Sequence, residues 1–225
     1  MCPPNRLGML YQISTPVVGV FGTSSKQGKF TLQLALRKIM LEQGYSVGGI
    51  GTEPTSQLFG MDYVFPMGYN STVYIDYNAV IHFLNSAMHN ICIKNTDIII
   101  VGSQSGTIPY AYGNISNYPT FQHAFLMGTL PDCIVLCVNT FDSFEYIHRT
   151  IAFLESVANS KVIALATIPF NTKAHNSFEK SKIVVSDDFY NLQRLFKSEF
   201  EMPLYNIVDK NEMIRLSEQI VDFFS

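Results

Sequence analysis

One stretch of the chain, GTSSKQGKFT at 22–31, has glycine, hydroxyl and lysine side chains in an order that suits phosphate binding. A short apolar run at 16–22 precedes it, and an amphipathic run at 31–44 follows it. Backbone N–H groups in such a turn and at a helix start can surround an anion, and a lysine adds positive charge. The alternative is a glycine-rich turn that binds nothing. The predicted loop consists of Gly22, Thr23, Ser24, Ser25, Lys26, Gln27, Gly28, Lys29, Phe30 and Thr31.

The loop differs in two ways from the usual G-x-x-x-x-G-K-[ST] pattern. Five residues separate Gly22 from Gly28, and Phe30 follows the lysine where a hydroxyl normally stands. The hydroxyl comes one position later, at Thr31, which is about 100° further round a helix. Because a hydroxyl at this point usually contacts Mg²⁺, Thr31 is the expected metal ligand.

An acidic residue at the end of another core strand usually holds the metal, either directly or through water. The strand-like run TDIIIVG at 96–102 ends in Gly102, and its Asp97 stands at the wrong end. Glu53, after the second strand, and Asp76, at the start of the second helix, could reach the same sheet edge. The glycine argues against efficient phosphoryl transfer more than against binding, and whether the chain is an enzyme stays open.

Apolar strand-like runs alternate with helical runs along the chain. Strands apolar on both faces with helices between them are typical of a mostly parallel sheet covered on both sides. We therefore predict an α/β fold, a three-layer α/β/α sandwich of the P-loop NTPase type, spanning residues 16–225. Residues 1–15 form an extended lead-in, either a linker or an arm on the core. In the helix at 31–44 the apolar side chains share one face, and Gln33 is expected on the opposite, outward face.

Composition excludes several classes of protein. The 225 residues are 47% apolar and 15% charged, with a net charge of -3, so neither nucleic acid nor an anionic membrane is expected as partner. No uncharged apolar window is long enough to span a bilayer. The four cysteines lack metal-site spacing and fit a reducing compartment, which predicts a cytoplasmic protein.

Two further features allow more than one interpretation. Asn139-Thr-Phe-Asp142 is similar to the N-K-x-D pattern that reads guanine, but the lysine is missing. The stronger interpretation is that Asp142 or Ser143 caps the next helix. In the long loop at 103–120, Tyr110 and Tyr112 could wall a substrate pocket or pack against their own loop.

Residues 16–170 resemble the C-terminal P-loop domain of the D-glutamate N-acetyltransferase-like family, long catalogued as a domain of unknown function. The resemblance includes the five-residue spacing and the delayed threonine of the loop, where the family has GTD-x3-GK-x-T. More weakly, the loop region is similar to P-loop proteins of clostridial-type peptide maturation systems. The other matching pieces are TEPTSQL at 52–58, Ile75-Asp76, SQSGTIPYAYG at 103–113 and PDCIVLC at 131–137.

The resemblance implies an acyl group carried by acetyl-CoA, or ATP with Mg²⁺, acting on a small amino-acid-like substrate. Ser24 and Gly102 replace acidic residues of the family, and the family's N-terminal domain is not in these residues, so a missing domain or a partner protein is expected. A homo-oligomer is a further expectation. The resemblance implies functional roles for Thr55, Asp76 and Gln104, besides the loop residues. We expect Asp76 and Gln104 to be catalytic, and the substrate to be bound by Thr52, Glu53, Thr55 and Tyr112.

Two functions therefore stand side by side. The first is an enzyme-type domain that binds a small phosphate-rich ligand through Lys29 and the loop amides. The second is a non-catalytic nucleotide-binding module that orders the loops at 54–72 and 103–120 for a partner in a peptide maturation system. The absence of an acid at Gly102 favours the second.

Overall fold

A computed structural model of the protein describes residues 8–66, 76–169 and 186–225. Seven strands and six α-helices alternate in the described part of the chain. The strands are β1 Val17–Gly22, β2 Val47–Gly51, β3 Tyr63–Val64, β4 Ile98–Gly102, β5 Cys133–Cys137, β6 Lys161–Thr167 and β7 Leu204–Asn206. The helices are α1 Lys29–Glu42, α2 Tyr77–Cys92, α3 Thr120–Thr129, α4 Phe144–Ala158, α5 Ser186–Phe200 and α6 Lys210–Phe224.

The strands form one sheet in the order β3-β2-β4-β1-β5-β6-β7, and every described pair is parallel. Strand β1 lies at the centre, between β4 and β5. The chain crosses from one half of the sheet to the other at this strand, which is where open parallel sheets bind their ligands. The loop predicted to hold phosphate therefore begins at the middle of the carboxyl edge.

Two apolar cores, one on each face of the sheet, hold the layers together. Successive residues of β1 point to opposite faces, so Phe21 lies in the core under α2, α3, α4 and α5, whereas Val18 and Val20 lie in the core under α1 and α6. Both cores are almost fully buried. The three-layer α/β/α sandwich with a parallel sheet, expected from the alternating runs, is confirmed.

The sequence missed some details of the elements. Helix α1 begins at Lys29 instead of residue 31, so the predicted loop ends inside the first turn of the helix. The segment 54–72, expected to be irregular, contains a 3-10 helix at Pro54–Phe59 and the two-residue strand β3. Its end, residues 67–72, lies outside the described residues, and so does the segment at 171–185.

Gln33 is buried, contrary to the expectation that it lies on the outward face of α1. Its side chain is 1% exposed, and Nε2 donates to the carbonyl oxygens of Ile50 at 2.8 Å and Ile100 at 3.0 Å. The amide therefore bridges β2 and β4 near their carboxyl ends. A Cβ placed on Gly102 would lie only 2.2 Å from Gln33 Oε1, so the position where an acid was sought has no room for any side chain.

Part of the predicted lead-in lies along α2. The backbone N–H of Tyr11 donates to Asn85 Oδ1 at 2.8 Å, and Asn85 Nδ2 donates back to the Tyr11 carbonyl at 3.0 Å. The ring of Tyr11 stacks on His89 with a centroid distance of 4.0 Å. These contacts place residues 11–15 on the core as an arm that leads into β1.

The packing of Gly102 against Gln33 predicts a coupled effect on stability. Gly102→Ala should lower the free energy of unfolding by about 1–3 kcal/mol, because the new methyl group displaces a doubly hydrogen-bonded amide. In a Gln33→Ala background the same change should cost clearly less, since the obstructing amide is gone. Urea unfolding of the four proteins measures both costs.

Gly113→Ala is the matched control for this experiment. A Cβ at Gly113 meets nothing within 4 Å, so the substitution should change stability by less than about 0.5 kcal/mol. Equal losses for Gly102→Ala in both backgrounds would contradict the proposed steric conflict.

Candidate functional site

A cavity of about 110 Å³ lies at the carboxyl edge of the sheet, where the segments after β1, β2 and β4 meet. It combines the phosphate-loop candidates with polar residues from the ends of the two neighbouring strands. Its walls contain one buried ammonium group and one carboxylate. The lining residues are Lys26, Gln27, Gly28, Lys29, Phe30, Thr31, Gln33, Thr52, Glu53, Ser103 and Gln104.

The loop between β1 and α1 depends on left-handed backbone at two positions. Gly28 has φ 84° and precedes the first residue of α1, and a Cβ there would lie 2.6 Å from Ile168 Cδ1. Glycine is therefore needed at this position for its conformation and for space. Lys26 also has positive φ, at 60°, a conformation uncommon for a residue with a side chain. The loop thus has a specific shape that places the start of α1 beside the cavity.

Lys29 lies inside the loop. It is 4% exposed, and its Nζ donates to the Ser24 carbonyl oxygen at 2.6 Å. Burial lowers the pKa of Lys29 to about 8, although nearby Cys137 and Glu53 partly oppose this effect. The ammonium has thus lost most of its hydration and is held by a carbonyl oxygen within the loop.

Gln27 fills the inside of the same loop. Its side chain is 3% exposed, Oε1 accepts from the Ser24 N–H at 2.9 Å, and Nε2 donates to Thr23 Oγ1 at 2.5 Å. A Cβ built on Gly22 would lie 2.6 Å from this Oε1 and 3.1 Å from Lys29 Nζ, so the Gln27 amide and the ammonium lie on either side of the same small space. The amide oxygen of Gln27 is therefore the acceptor for the Ser24 N–H inside the loop.

The first residue of the loop, Thr23, is fixed from several sides. Its N–H donates to the Cys137 carbonyl at 3.0 Å, and its hydroxyl donates to Asp142 Oδ2 at 2.5 Å. The Tyr146 hydroxyl lies within hydrogen-bonding distance of two carbonyl oxygens, those of Thr23 at 2.9 Å and Ile108 at 3.0 Å. Burial raises the pKa of Tyr146 to about 12, so this clamp stays protonated at ordinary pH.

The Asn139–Asp142 segment supports this clamp. The Asn139 N–H donates to Asp142 Oδ2 at 2.9 Å, and Asn139 Nδ2 donates to Ser24 Oγ at 3.1 Å. Ser143 caps α4 by accepting from the Tyr146 N–H at 3.3 Å, as the stronger sequence interpretation predicted. Asp142 itself is turned toward the phosphate loop, a role that the sequence did not indicate.

The opposite wall contains polar atoms without a hydrogen-bond partner. Gln104 Nε2 donates to Glu53 Oε1 at 3.2 Å, whereas Gln104 Oε1 is buried without a partner. Ser103 is 4% exposed, and its Oγ is buried and unpaired. Thr52 is also buried, and lines the same wall. This wall therefore has unsatisfied hydrogen-bonding capacity on two of the residues that line the cavity.

Some of the predicted site residues lie apart from the cavity lining. Thr55 is exposed on the 3-10 helix, and Asp76 caps α2 by accepting from the N–H groups of Asn78 and Ala79. Tyr112 is 60% exposed and lies under the Arg149 guanidinium, 5.4 Å from the ring centroid. Roles for Thr55, Asp76 and Tyr112 at the site stay predictions.

Sequence reasoning missed two lining residues, Gln33 and Ser103. Gln33 follows Lys29 by four residues, so a helix starting at Lys29 places both side chains on the same face. Ser103 and Gln104 are the first and second residues after β4, an apolar strand that lies beside the central strand. The helix spacing and the strand end were the available signals.

Neither a metal-ligand cluster nor a membrane-spanning helix is present among the described residues. No group of three or more histidine, cysteine, aspartate and glutamate side chains is arranged to hold a metal ion among residues 8–66, 76–169 and 186–225. No described helix has both the length and the apolar character needed to cross a bilayer.

Several solved structures share this fold. A DUF1611 family protein from Anabaena variabilis superposes with a TM-score of 0.68 at 16% identity, covering 94% of this chain and 58% of the other. The chain thus spans somewhat more than half the length of that relative. Comparison of the sequence with curated proteins gives no match.

Two nucleotide complexes also share the fold. A nucleotide-binding protein from Archaeoglobus fulgidus in complex with ADP has a TM-score of 0.56 at 10% identity, covering 93% of this chain and 88% of the other. A protein from Borrelia burgdorferi assigned to plasmid partition and bound to AMPPNP has a TM-score of 0.55 at 12% identity, covering 93% and 98%. At these identities the likeness shows the fold alone.

Residues 7–188 match the family described as "Domain of unknown function (DUF1611_C) P-loop domain", which is most of the sequence. This agrees with the resemblance seen in the loop and in the segments after the second and fourth strands, while acetyl transfer and peptide maturation stay predictions. The chain belongs to the DUF1611 family, as its P-loop domain.

Proposed function

We propose that this chain binds an adenine nucleotide, ADP or ATP, through the loop at 22–31. The observation that carries the proposal is the buried Lys29 ammonium, held by the Ser24 carbonyl oxygen within the loop after β1, at the carboxyl edge of a parallel sheet. Burying a cation without a carboxylate partner is costly, and an anionic ligand offsets this cost. Two proteins of the same fold, bound to ADP and to AMPPNP, support the choice of ligand.

Binding exchanges hydrogen bonds within the loop. The nucleotide phosphates take the place of Gln27 Oε1 on the Ser24 N–H and of the Ser24 carbonyl on Lys29 Nζ. Loop amides and the N-terminus of α1 then surround the phosphate oxygens. Thr23 stays fixed by Asp142 and Tyr146, so the rearrangement is confined to the residues that follow it.

The oxygen donors at the cavity suit Mg²⁺, which prefers oxygen ligands and usually binds with substrate phosphates. When bound with the nucleotide, Mg²⁺ neutralises phosphate charge. The Thr31 hydroxyl lines the cavity and remains the expected protein ligand.

A second candidate function is a non-catalytic nucleotide module that works with another domain or protein. The closed position at Gly102 favours it, because no acid can be placed there to support phosphoryl transfer. Acyl transfer from acetyl-CoA to an amino-acid-like substrate is the enzyme alternative, with Gln104 facing the substrate. Release of the free CoA thiol from acetyl-CoA, dependent on an added acidic amino acid and compared between wild type and Lys29→Ala, separates the two.

Removal of the Lys29 ammonium should weaken nucleotide binding. Lys29→Ala should lower ADP affinity about 10- to 150-fold, which corresponds to the ~1.5–3 kcal/mol of a hydrogen bond to a charged group. Isothermal titration calorimetry measures the change. Lys38→Ala is the control on the same helix, because Lys38 is exposed and pairs with Glu42 at 3.8 Å. Equal affinities for wild type and Lys29→Ala would contradict the proposal.

Nucleotide affinity should fall as the pH rises above about 8. In the free protein Lys29 is charged below this pH and neutral above it, whereas the phosphates are ionised throughout. Bound phosphate favours the ammonium, so binding takes up a proton above pH 8, and ADP affinity drops by up to about tenfold per pH unit. Titrations between pH 7 and pH 9.5 measure this slope, which should be absent in Lys29→Ala. A flat profile in wild type would be inconsistent with a charged Lys29 in the complex.

Removal of the Gln27 amide should strengthen binding. Gln27→Ala frees the Ser24 N–H for phosphate, so ADP affinity should rise about two- to tenfold, the equivalent of one neutral hydrogen bond. Calorimetry measures the affinity, and thermal unfolding without ligand checks that the loop stays folded. A loss of affinity would show that the amide contacts the nucleotide instead of competing with it.

A further inference from the structure

The end of β4 cannot provide a carboxylate for a cation at this site. Gln33 fills the space next to Gly102 and is held by hydrogen bonds to the carbonyls of Ile50 and Ile100. Any side chain at position 102 would displace this buried amide. A cation that accompanies the phosphates must therefore take its negative partner from another strand.

Glu53 provides the one carboxylate among the residues that line the cavity. It is the second residue after β2, next to Thr52. Its negative charge raises the pKa of Lys29. The carboxylate is fixed by one hydrogen bond, from Gln104 Nε2 at 3.2 Å. Glu53 is thus positioned beside the phosphate loop by the strand end and by Gln104.

The unpaired atoms on this wall indicate what the cavity accommodates. Ser103 Oγ and Gln104 Oε1 are both buried without a partner, and leaving such a group unsatisfied is energetically unfavourable. Gln104 Oε1 and the Glu53 carboxylate only accept hydrogen bonds, so the occupant must donate them. The water shell of Mg²⁺ is a set of such donors, because Mg²⁺ usually keeps several of its waters. The cavity, at about 110 Å³, is large enough for several waters, since a cavity needs ~10–15 Å³ to hold one water.

We propose that Glu53, with Ser103 and Gln104, holds the hydrated Mg²⁺ that accompanies the nucleotide, in place of an acid at the end of β4. The inference rests on the proposed nucleotide binding. It adds that the dependence of nucleotide affinity on Mg²⁺ comes from Glu53. Lys29 and the loop amides bind the phosphates, whereas Glu53 makes that binding stronger when Mg²⁺ is present.

The test compares ADP affinity in EDTA with ADP affinity in Mg²⁺. In wild type, Mg²⁺ should strengthen ADP binding about tenfold, equivalent to about 1.4 kcal/mol. In Glu53→Gln this increment, taken as the ratio of the two affinities measured on the variant itself, should disappear. Mn²⁺ used as a spectroscopic probe should show a protein-bound signal with ADP in wild type and not in Glu53→Gln. Glu53→Asp should restore part of both effects.

Asp76→Asn is the matched control, because Asp76 is the other carboxylate predicted for this edge and asparagine also caps helices well. It should keep the full Mg²⁺ increment. The inference is overturned if Glu53→Gln keeps the increment, if Asp76→Asn loses it, or if wild type binds ADP equally with and without Mg²⁺. No ADP binding by wild type in EDTA or Mg²⁺ would instead overturn the proposed function itself.

Discussion

The structure of the site depends on a buried ammonium group. Lys29 lies at the first position of α1, and the carboxyl edge of the sheet around it excludes most water. A charge in such surroundings needs a nearby oxygen, and the loop provides the Ser24 carbonyl. The left-handed Gly28 allows the backbone to turn so that this carbonyl and the ammonium meet. The shape of the loop, the start of α1 and the stability of the buried charge at this edge therefore depend on one another.

The neighbouring strands adapt to this arrangement in different ways. On one side, β5 and the segment after it hold the start of the loop through Cys137 and Asp142. On the other side, β4 ends in a glycine, so the Gln33 amide can bind across to β2. The strand that commonly bears an acid in P-loop folds thus has a structural role here, and the remaining carboxylate comes from Glu53.

Much of the fold could be predicted from the sequence, because buried parallel strands are continuous apolar runs and α1 has a clear apolar face. The position of the loop between β1 and α1 was also predicted, since glycine and lysine after a strand are a local signal. Gln33 was predicted on the outward face because helical periodicity places a polar residue there. Its hydrogen bonds are to Ile50 and Ile100, which lie 17 and 67 residues further along the chain. Asp142 was missed for the same reason: its partner Thr23 is 119 residues distant in sequence. Contacts of this kind become visible only when the strand order is known.

The amide of Gln27 has a consequence for the empty state of the domain. In many anion sites, departure of the ligand leaves backbone N–H groups without acceptors, and the loop then loosens or collapses. Under the nucleotide binding proposed above, the Gln27 side chain replaces the departing phosphate on the Ser24 N–H, the bond that it makes in this structure, so the vacated loop keeps its hydrogen bonds and its shape. Loading and release then become a substitution between two acceptors of similar chemistry. Such a loop can be filled and emptied repeatedly without refolding, and its occupancy can follow the ligand concentration.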